Sequence, residues 1–448
     1  MSGEFANQPE DPSSNGAVKC SRAELFKTWL HIGLLSFGGP AAQIALMHRV
    51  IVEQRGWLSE KQYLNDLSFC MLLPGPEAMQ LASLSGWRTH GVFGGLLAGL
   101  CFVIPGALVV GLLAAMYALY GQQAFTDSLF LGVKAAVLVI VADALLKVSR
   151  RALADRLDYI IAGSAFVALF FFSIPFPLLV LLAGVLGFWR ASRVRAISTA
   201  TVSATPVSLA SDHLRVTGRT VILWLGIWWL PVLALWLLDG EGLLLAVALF
   251  FSKLAVVSFG GAYAVLAYMA QDIVTDYRWL SATQMMDGLG LAEATPGPLI
   301  LVTQFVGYLT GYEQGGLLLA LAAAGVTLWV TFVPCFLWIF AGAPYMLWLG
   351  AQPGLTGALR SITAAVVGVI LNLALWFALH VIFGEVIASQ HGALTVWMPV
   401  WSTINLPVIL LSGLSAVLLF WCKQHVIIVL LCSAMLAVFL SLFIAGPG

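Results

Sequence analysis

Hydrophobic stretches almost free of charge recur along the chain at residues 93–120, 160–189, 221–238, 317–340, 362–383, 406–421 and 426–445. A bilayer crossing takes roughly 20 such residues. A backbone in lipid must satisfy its own hydrogen bonds, so these stretches read as helices. The run 160–189 has double length and is broken at Pro175 and Pro177, which predicts a helical hairpin. Two segments are too short to span: 24–36 and 40–52 hold about 13 residues each, roughly 20 Å of helix against a core of about 30 Å. They read as arms of a re-entrant element hinged at Phe37-Gly38-Gly39-Pro40, and 62–73 with 77–87 repeat the pattern around Pro74-Gly75-Pro76.

The same motifs occur twice. Ser36-Phe37-Gly38-Gly39 returns as Ser258-Phe259-Gly260-Gly261, and at that spacing Trp57-Leu58-Ser59 falls on Trp279-Leu280-Ser281 and Pro74-Gly75-Pro76 on Pro296-Gly297-Pro298. After an insertion near 308–315, Ala135-Ala136-Val137 falls on Ala364-Ala365-Val366, which sets Asp143 opposite Asn372. Two homologous repeats are therefore expected at 22–190 and 241–448. A polar tail at 1–21, a hydrophilic linker at 191–218 and one linking transmembrane helix at 219–240 complete the chain.

Lys and Arg near helix ends mark the cytoplasmic side. Arg150, Arg151 and Arg156 precede the 160–189 hairpin and Arg190, Arg193 and Arg195 follow it, whereas the equivalent hairpin of the second repeat carries Lys423 at its tip. The repeats are thus expected to have inverted topology, an arrangement that places transport sites near the midplane.

Composition strengthens the membrane assignment: 61% of the chain is hydrophobic and 9% charged, against about 25% charged in soluble domains. The formal net charge is zero, which argues against nucleic acid as a partner. The first twenty residues lack the apolar core of a signal peptide. Six scattered cysteines show no metal-ligand or haem spacing, and neither a phosphate loop nor a dinucleotide fingerprint occurs. No cofactor, metal or catalytic centre is expected.

The hinges suggest the chemistry. Glycine lets a ligand approach the backbone, proline suits the first helical turn, and the free N–H groups of a helix N-terminus attract anions. The candidate binding set is Ser36, Phe37, Gly38, Gly39, Pro40, Gln43, Pro74, Gly75, Pro76 and Gln80 in the first repeat, with Lys253, Ser258, Phe259, Gly260, Gly261, Pro296, Gly297 and Pro298 in the second. Charged groups at membrane depth are costly and invite a functional reading. His31, Glu77, Asp143 and Glu293 are candidates for proton coupling or charge pairing, although Asp143 also has Lys147 one turn away and Arg88 reads as an anchor. Kinks in packed helices are the plain structural alternative for the Gly and Pro motifs.

The paired Phe-Gly-Gly and Pro-Gly-Pro motifs, Trp57-Leu58, Gln80, Ala262-Tyr263 and Ala294-Thr295 resemble the chromate transporter (CHR) family, in particular its long two-domain bacterial members, over almost all of 22–445. The resemblance implies a multi-pass inner-membrane protein with a cytoplasmic N-terminus that exports chromate, driven by the electrochemical gradient, and so confers chromate resistance. Sulfate, a tetrahedral dianion of similar size, stays open as an alternative, as does a homodimer; a membrane-bound redox protein is the rival from another class. Leu73 stands where the second repeat has Thr295, and Glu77 where it has Leu299, so the two halves are not expected to play identical roles.

Overall fold

The computed structural model describes residues 20–121, 123–197, 211–238, 240–259, 262–350, 352–392 and 394–444. Residues 1–19 of the expected tail, residues 198–210 of the linker, and Gly260 and Gly261 lie outside the described residues, while Ser21, read as part of the tail, caps the first helix. Among the described residues, six helices are long and apolar enough to cross a membrane, and the protein is an all-helical polytopic membrane protein apart from one small β-hairpin.

The first half opens with α1 (Arg22–Leu35), α2 (Gly39–His48) and α3 (Glu60–Cys70). The second half opens with α9 (Leu243–Val257), α10 (Ala262–Gln271) and α11 (Ala282–Ala294). Local chemistry is duplicated along with sequence. Ser59 and Gln62 form a capping box that starts α3, and Ser281 with Gln284 does the same for α11. Left-handed residues also recur in pairs, Gly56 (φ 59) with Arg278 (φ 52) and Gly75 (φ 117) with Gly297 (φ 90).

The short arms are re-entrant. Arg55 pairs with Glu24 at 2.6 Å, which ties the end of the α2 arm to the start of α1. Next come α4 (Glu77–Tyr120) and, in the second half, α12 (Val302–Gly342). Each folds back on itself at a glycine whose dihedrals only glycine adopts readily, Gly91 (φ 61, ψ −150) and Gly316 (φ 72, ψ −160). A Cβ on Gly86 would run into the backbone oxygen of Gly94, and one on Gly307 into Thr327, so each short arm lies directly on its own long arm.

The long arms meet in opposite senses: Gly95 lies under Phe340, and Gly99 under Phe336. The next helices, α5 (Ala124–Ala152) and α14 (Pro353–Ile382), also run oppositely. Ala152 packs with Val367, while 138–142 of α5 shares a groove with 371–378 of α14.

Each half ends in a hairpin, α6 (Arg156–Phe170) with α7 (Phe176–Ile197), and α15 (Leu406–Ala416) with α16 (Val426–Ile444). The turns contain another left-handed pair, Ser173 (φ 50) and Lys423 (φ 49). These hairpins are exchanged between halves. The first packs on α14, where Gly368 abuts the backbone of Ala162 and Gly187 that of Gly357. The second packs on α5, with Ser412 donating to Ala135 O at 3.1 Å and Ser433 to Gly132 O at 2.7 Å. Arg360 at the start of α14 seals the first junction by donating to Asp155 (2.6 Å) and Asp158 (2.7 Å).

The linking helix α8 (Ser211–Leu238) is held against α9 and α12 by Trp228 Nε1 donating to Ser252 Oγ at 3.2 Å and Trp329 Nε1 donating to Ile227 O at 3.1 Å. It begins before the expected residue 219, inside the stretch read as linker. Short helix α13 (Met346–Gly350) bridges to α14. The unexpected element is the antiparallel pair β1 (Val386–His391) and β2 (Leu394–Pro399), where Thr395 N–H donates to Phe171 O at 2.7 Å at the tip of the first hairpin.

Gly368→Val should destabilise the protein by about 1–3 kcal/mol or more, because its side chain would collide with backbone rather than with a yielding side chain. Gly163→Ala, into open space, should stay within about 0.5 kcal/mol. Thermal unfolding of the two purified variants in detergent checks both.

Candidate functional site

Four broken helices of the two halves converge. Gly75 N–H donates to Ser258 O at 2.9 Å, and Gly297 N–H donates to Ser36 O at 2.8 Å. Each Pro-Gly-Pro turn thus closes onto the Phe-Gly-Gly hinge of the other half. Several amides that the sequence left available are spent here: those of Gly75 and Gly297 join the halves, and Phe37 and Phe259 N–H donate to Leu35 O and Val257 O, both at 2.9 Å. The serine hydroxyls close their own helix ends, Ser36 on Ile32 O at 2.6 Å and Ser258 on Ala255 O at 2.9 Å.

Among the described residues, the first-turn amides of α2 and of the 77–89 arm have no intrahelical backbone acceptor. Gly38 (φ 87) and Gly39 (φ 76) aim the first set, with Pro40 in the first turn. Pro74 and Pro76 bracket the second hinge, and Pro296 and Pro298 its counterpart. Gly106 of α4 presses against Pro296 O, and Cys335 of α12 lies 3.0 Å from where a Cβ on Gly75 would sit, so each turn is wedged on the opposite long arm.

Glutamines tie the ring. Gln43 Nε2 donates to Gly297 O at 2.6 Å and reaches Ser36 O at 3.4 Å, bridging the halves. Gln80 Nε2 donates to Pro74 O at 2.6 Å, and Gln304 Nε2 to Ala107 O at 3.0 Å.

Polar side chains gather on the α2 side of the ring. Tyr263 Oη donates to Glu293 Oε1 at 2.9 Å, and the same hydroxyl lies 3.8 Å from the Cβ position of Gly39. His425, at the tip of the second terminal hairpin, puts Nε2 3.7 Å from the Cβ position of Gly38. Asp143 pairs with Lys147 one turn along α5, so its charge is answered within its own helix. Glu293 is buried and Glu77 half-buried in the first turn of its arm. The structure does not bring Lys253 to the hinges: it is exposed on α9, its ammonium 5.4 Å from the Tyr268 ring. His31 is likewise exposed, on α1. Arg88 grips buried Asp66 with two bonds of 2.6 Å and so ties the base of the second re-entrant pair.

Sequence reasoning missed Tyr263 and His425 as neighbours of the first hinge. Tyr263 follows Gly261-Ala262 directly and faces Ala41 in the alignment of the repeats, an asymmetry that could have flagged it. His425 belongs to the far end of the chain, and only the exchanged hairpin reveals its position.

The Chromate transporter family profile matches residues 23–188 and 245–438. The chain belongs to the chromate transporter family. It is 30% identical over 379 residues to the chromate transport protein of Cupriavidus metallidurans, covering 83% of this chain and 87% of that one. A probable chromate transport protein of Synechococcus elongatus is 30% identical over 350 residues (78% of this chain, 83% of that one). The chromate transport protein of Pseudomonas aeruginosa is 29% identical over 424 residues (93% and 91%). No solved structure matches the chain. Both profile matches in this chromate transporter family member contain a Phe-Gly-Gly and a Pro-Gly-Pro hinge.

Gln43→Leu should leave the buried Gly297 carbonyl without its Gln43 donor, Ser36 O keeping the Gly297 N–H, and cost about 1–3 kcal/mol. Thermal unfolding should show the loss, with Gln62→Ala, a capping-box residue remote from the ring, as the control for a purely local effect.

Proposed function

We propose that this chain is a secondary transporter of the inner membrane that exports chromate from the cytoplasm and thereby confers chromate resistance, with its two repeats in inverted topology. The observation that carries this reading is the reciprocal closure of Gly75 on Ser258 and Gly297 on Ser36, which draws the helix breaks of both halves to one place. The opposed runs of α4 against α12 and α5 against α14 support inversion. The relatives' names supply the anion.

A tetrahedral dianion leaving water needs donors on several sides. First-turn amides of α2 and of the 77–89 arm supply them without a mobile countercharge. Lys253, standing outside the ring, attracts the anion along its path rather than ligating it. Glu293, held by Tyr263, is the best placed proton carrier, with Glu77, Asp143 and His31 as further charged groups. Export of a dianion gains about 4.6 kcal/mol per 100 mV from a cell interior that is negative, so the membrane potential alone provides a drive without ATP. Arg150, Arg151, Arg156, Arg190, Arg193 and Arg195 support a cytoplasmic N-terminus and a cytoplasmic entry for the first pair of re-entrant arms.

Uptake of labelled chromate into everted vesicles tests the site. Gly38→Ala, forced into a left-handed conformation, should slow uptake about tenfold, since that region costs roughly 1–2 kcal/mol for a residue with a Cβ. Glu293→Gln should abolish the response to an imposed pH gradient while leaving chromate binding. Full activity in Gly38→Ala and unchanged pH response in Glu293→Gln would remove the proposed site, and competition by excess sulfate would make sulfate a shared substrate. Topology has its own test: introduced cysteines beside Trp57 and Trp279 should label from opposite faces of the membrane.

A further inference from the structure

The two pairs of re-entrant arms share a sequence pattern but not the same surroundings. Helix α11 packs tightly on α5 and α10 on α14, whereas α3 and α2 make no comparable contact with α14 and α5 among the described residues. Burial follows. Residues 285–290 of α11 are buried without a break, while their counterparts Leu64, Asn65 and Ser68 on α3 are exposed. Asn65 and Ser68 are polar, which suits a wet cleft and not a lipid-facing wall.

One ion-pair cluster holds the docked arm. Lys134 Nζ on α5 lies 3.0 Å from Asp287 Oδ1 on α11, and Tyr117 Oη at the end of α4 donates to Asp287 Oδ2 at 2.7 Å. Both charged side chains are largely buried, 13% and 4% exposed. All three residues lie toward the face where α4 ends and α11 begins, opposite the face marked by Arg150 and Arg151. The corresponding positions on the other face are Asn65, Thr363 and Met346, which cannot build such a cluster.

We infer that Lys134, Asp287 and Tyr117 form a latch that positions α11 against α5, shutting the external gate, and that the absence of a matching latch makes the cytoplasm-facing form the resting state. This rests on the reading above of the chain as a secondary transporter with inverted repeats, which would open to each side in turn. When the latch opens, α3 docks on α14 as α11 now docks on α5. In chemical terms, an exporter so biased waits open to the compartment from which it loads.

Disulfide trapping tests this without reference to the transported anion. The Cβ position of Gly290 lies 3.7 Å from Val133 Cβ, within the span of a disulfide. Val133→Cys with Gly290→Cys should cross-link in native membranes. The equivalent pair, Ser68→Cys with Ile362→Cys, should cross-link more slowly, through the other state. Adding Asp287→Asn should shift the ratio of the two rates about tenfold (~1.4 kcal/mol) toward the second pair, with mass mapping to identify each bond. Failure of either pair to link, or an unchanged ratio in Asp287→Asn, overturns the inference. An intact shift alongside absent chromate uptake would instead sink the substrate assignment and leave the latch standing.

Discussion

The constraint on which the structure depends is that backbone broken inside a bilayer must find partners within the protein. Each half interrupts its helices twice, at a Phe-Gly-Gly and a Pro-Gly-Pro, and neither half closes these breaks alone. The amide of each Pro-Gly-Pro glycine is accepted by the serine carbonyl that precedes the other half's glycine pair. Glycine is required at Gly75 and Gly297 because both sit at positive φ while pressed against the opposing long arm. The halves are therefore joined at the very point where their helices break, and the first-turn amides of α2 and of the 77–89 arm are not consumed by this closure.

Around that closure the halves diverge. Gln43 bridges them from the first half, and Val265 at the matching position of the second cannot do so. Glu293 is buried with Tyr263 where the first half has exposed Met71. The first half thus contributes a glycine-framed helix start and the second the ionisable side chains that face it. Buried charges elsewhere are paired: Asp66 with Arg88 and Asp158 with Arg360 tie helix ends together. Removing one member of such a pair strands the other, so they hold the scaffold rather than the cargo.

Much of this was legible from residues alone. Arms too short to cross, hinges of Gly and Pro, and motifs recurring at fixed spacing gave the broken helices and the turns at 173 and 423, because length and backbone permissiveness are local properties. The antiparallel strands at 386–399 were missed, since a short alternating segment between two spanning helices carries no strong period against its apolar surroundings. The contents of the site were read only in part. Local logic counted the amides of Gly75 and Gly297 as free, but their acceptors lie more than two hundred residues away in sequence. Lys253 drew notice as a cation in an apolar helix, and its outward orientation depends on helix packing that periodicity did not resolve.

The exchange of terminal hairpins constrains how the chain must assemble. Helix α5 is walled by α15 and α16, and α14 by α6 and α7, so each half carries the other's outer wall. A solitary half would reach the bilayer with one long helix bare and one hairpin unemployed. Its remedy is a second half whose own hairpin covers the bare helix, so neither half is a finished folding unit without the other. Carrying both halves on one chain, with α8 between them, keeps each wall within reach of the helix it must cover.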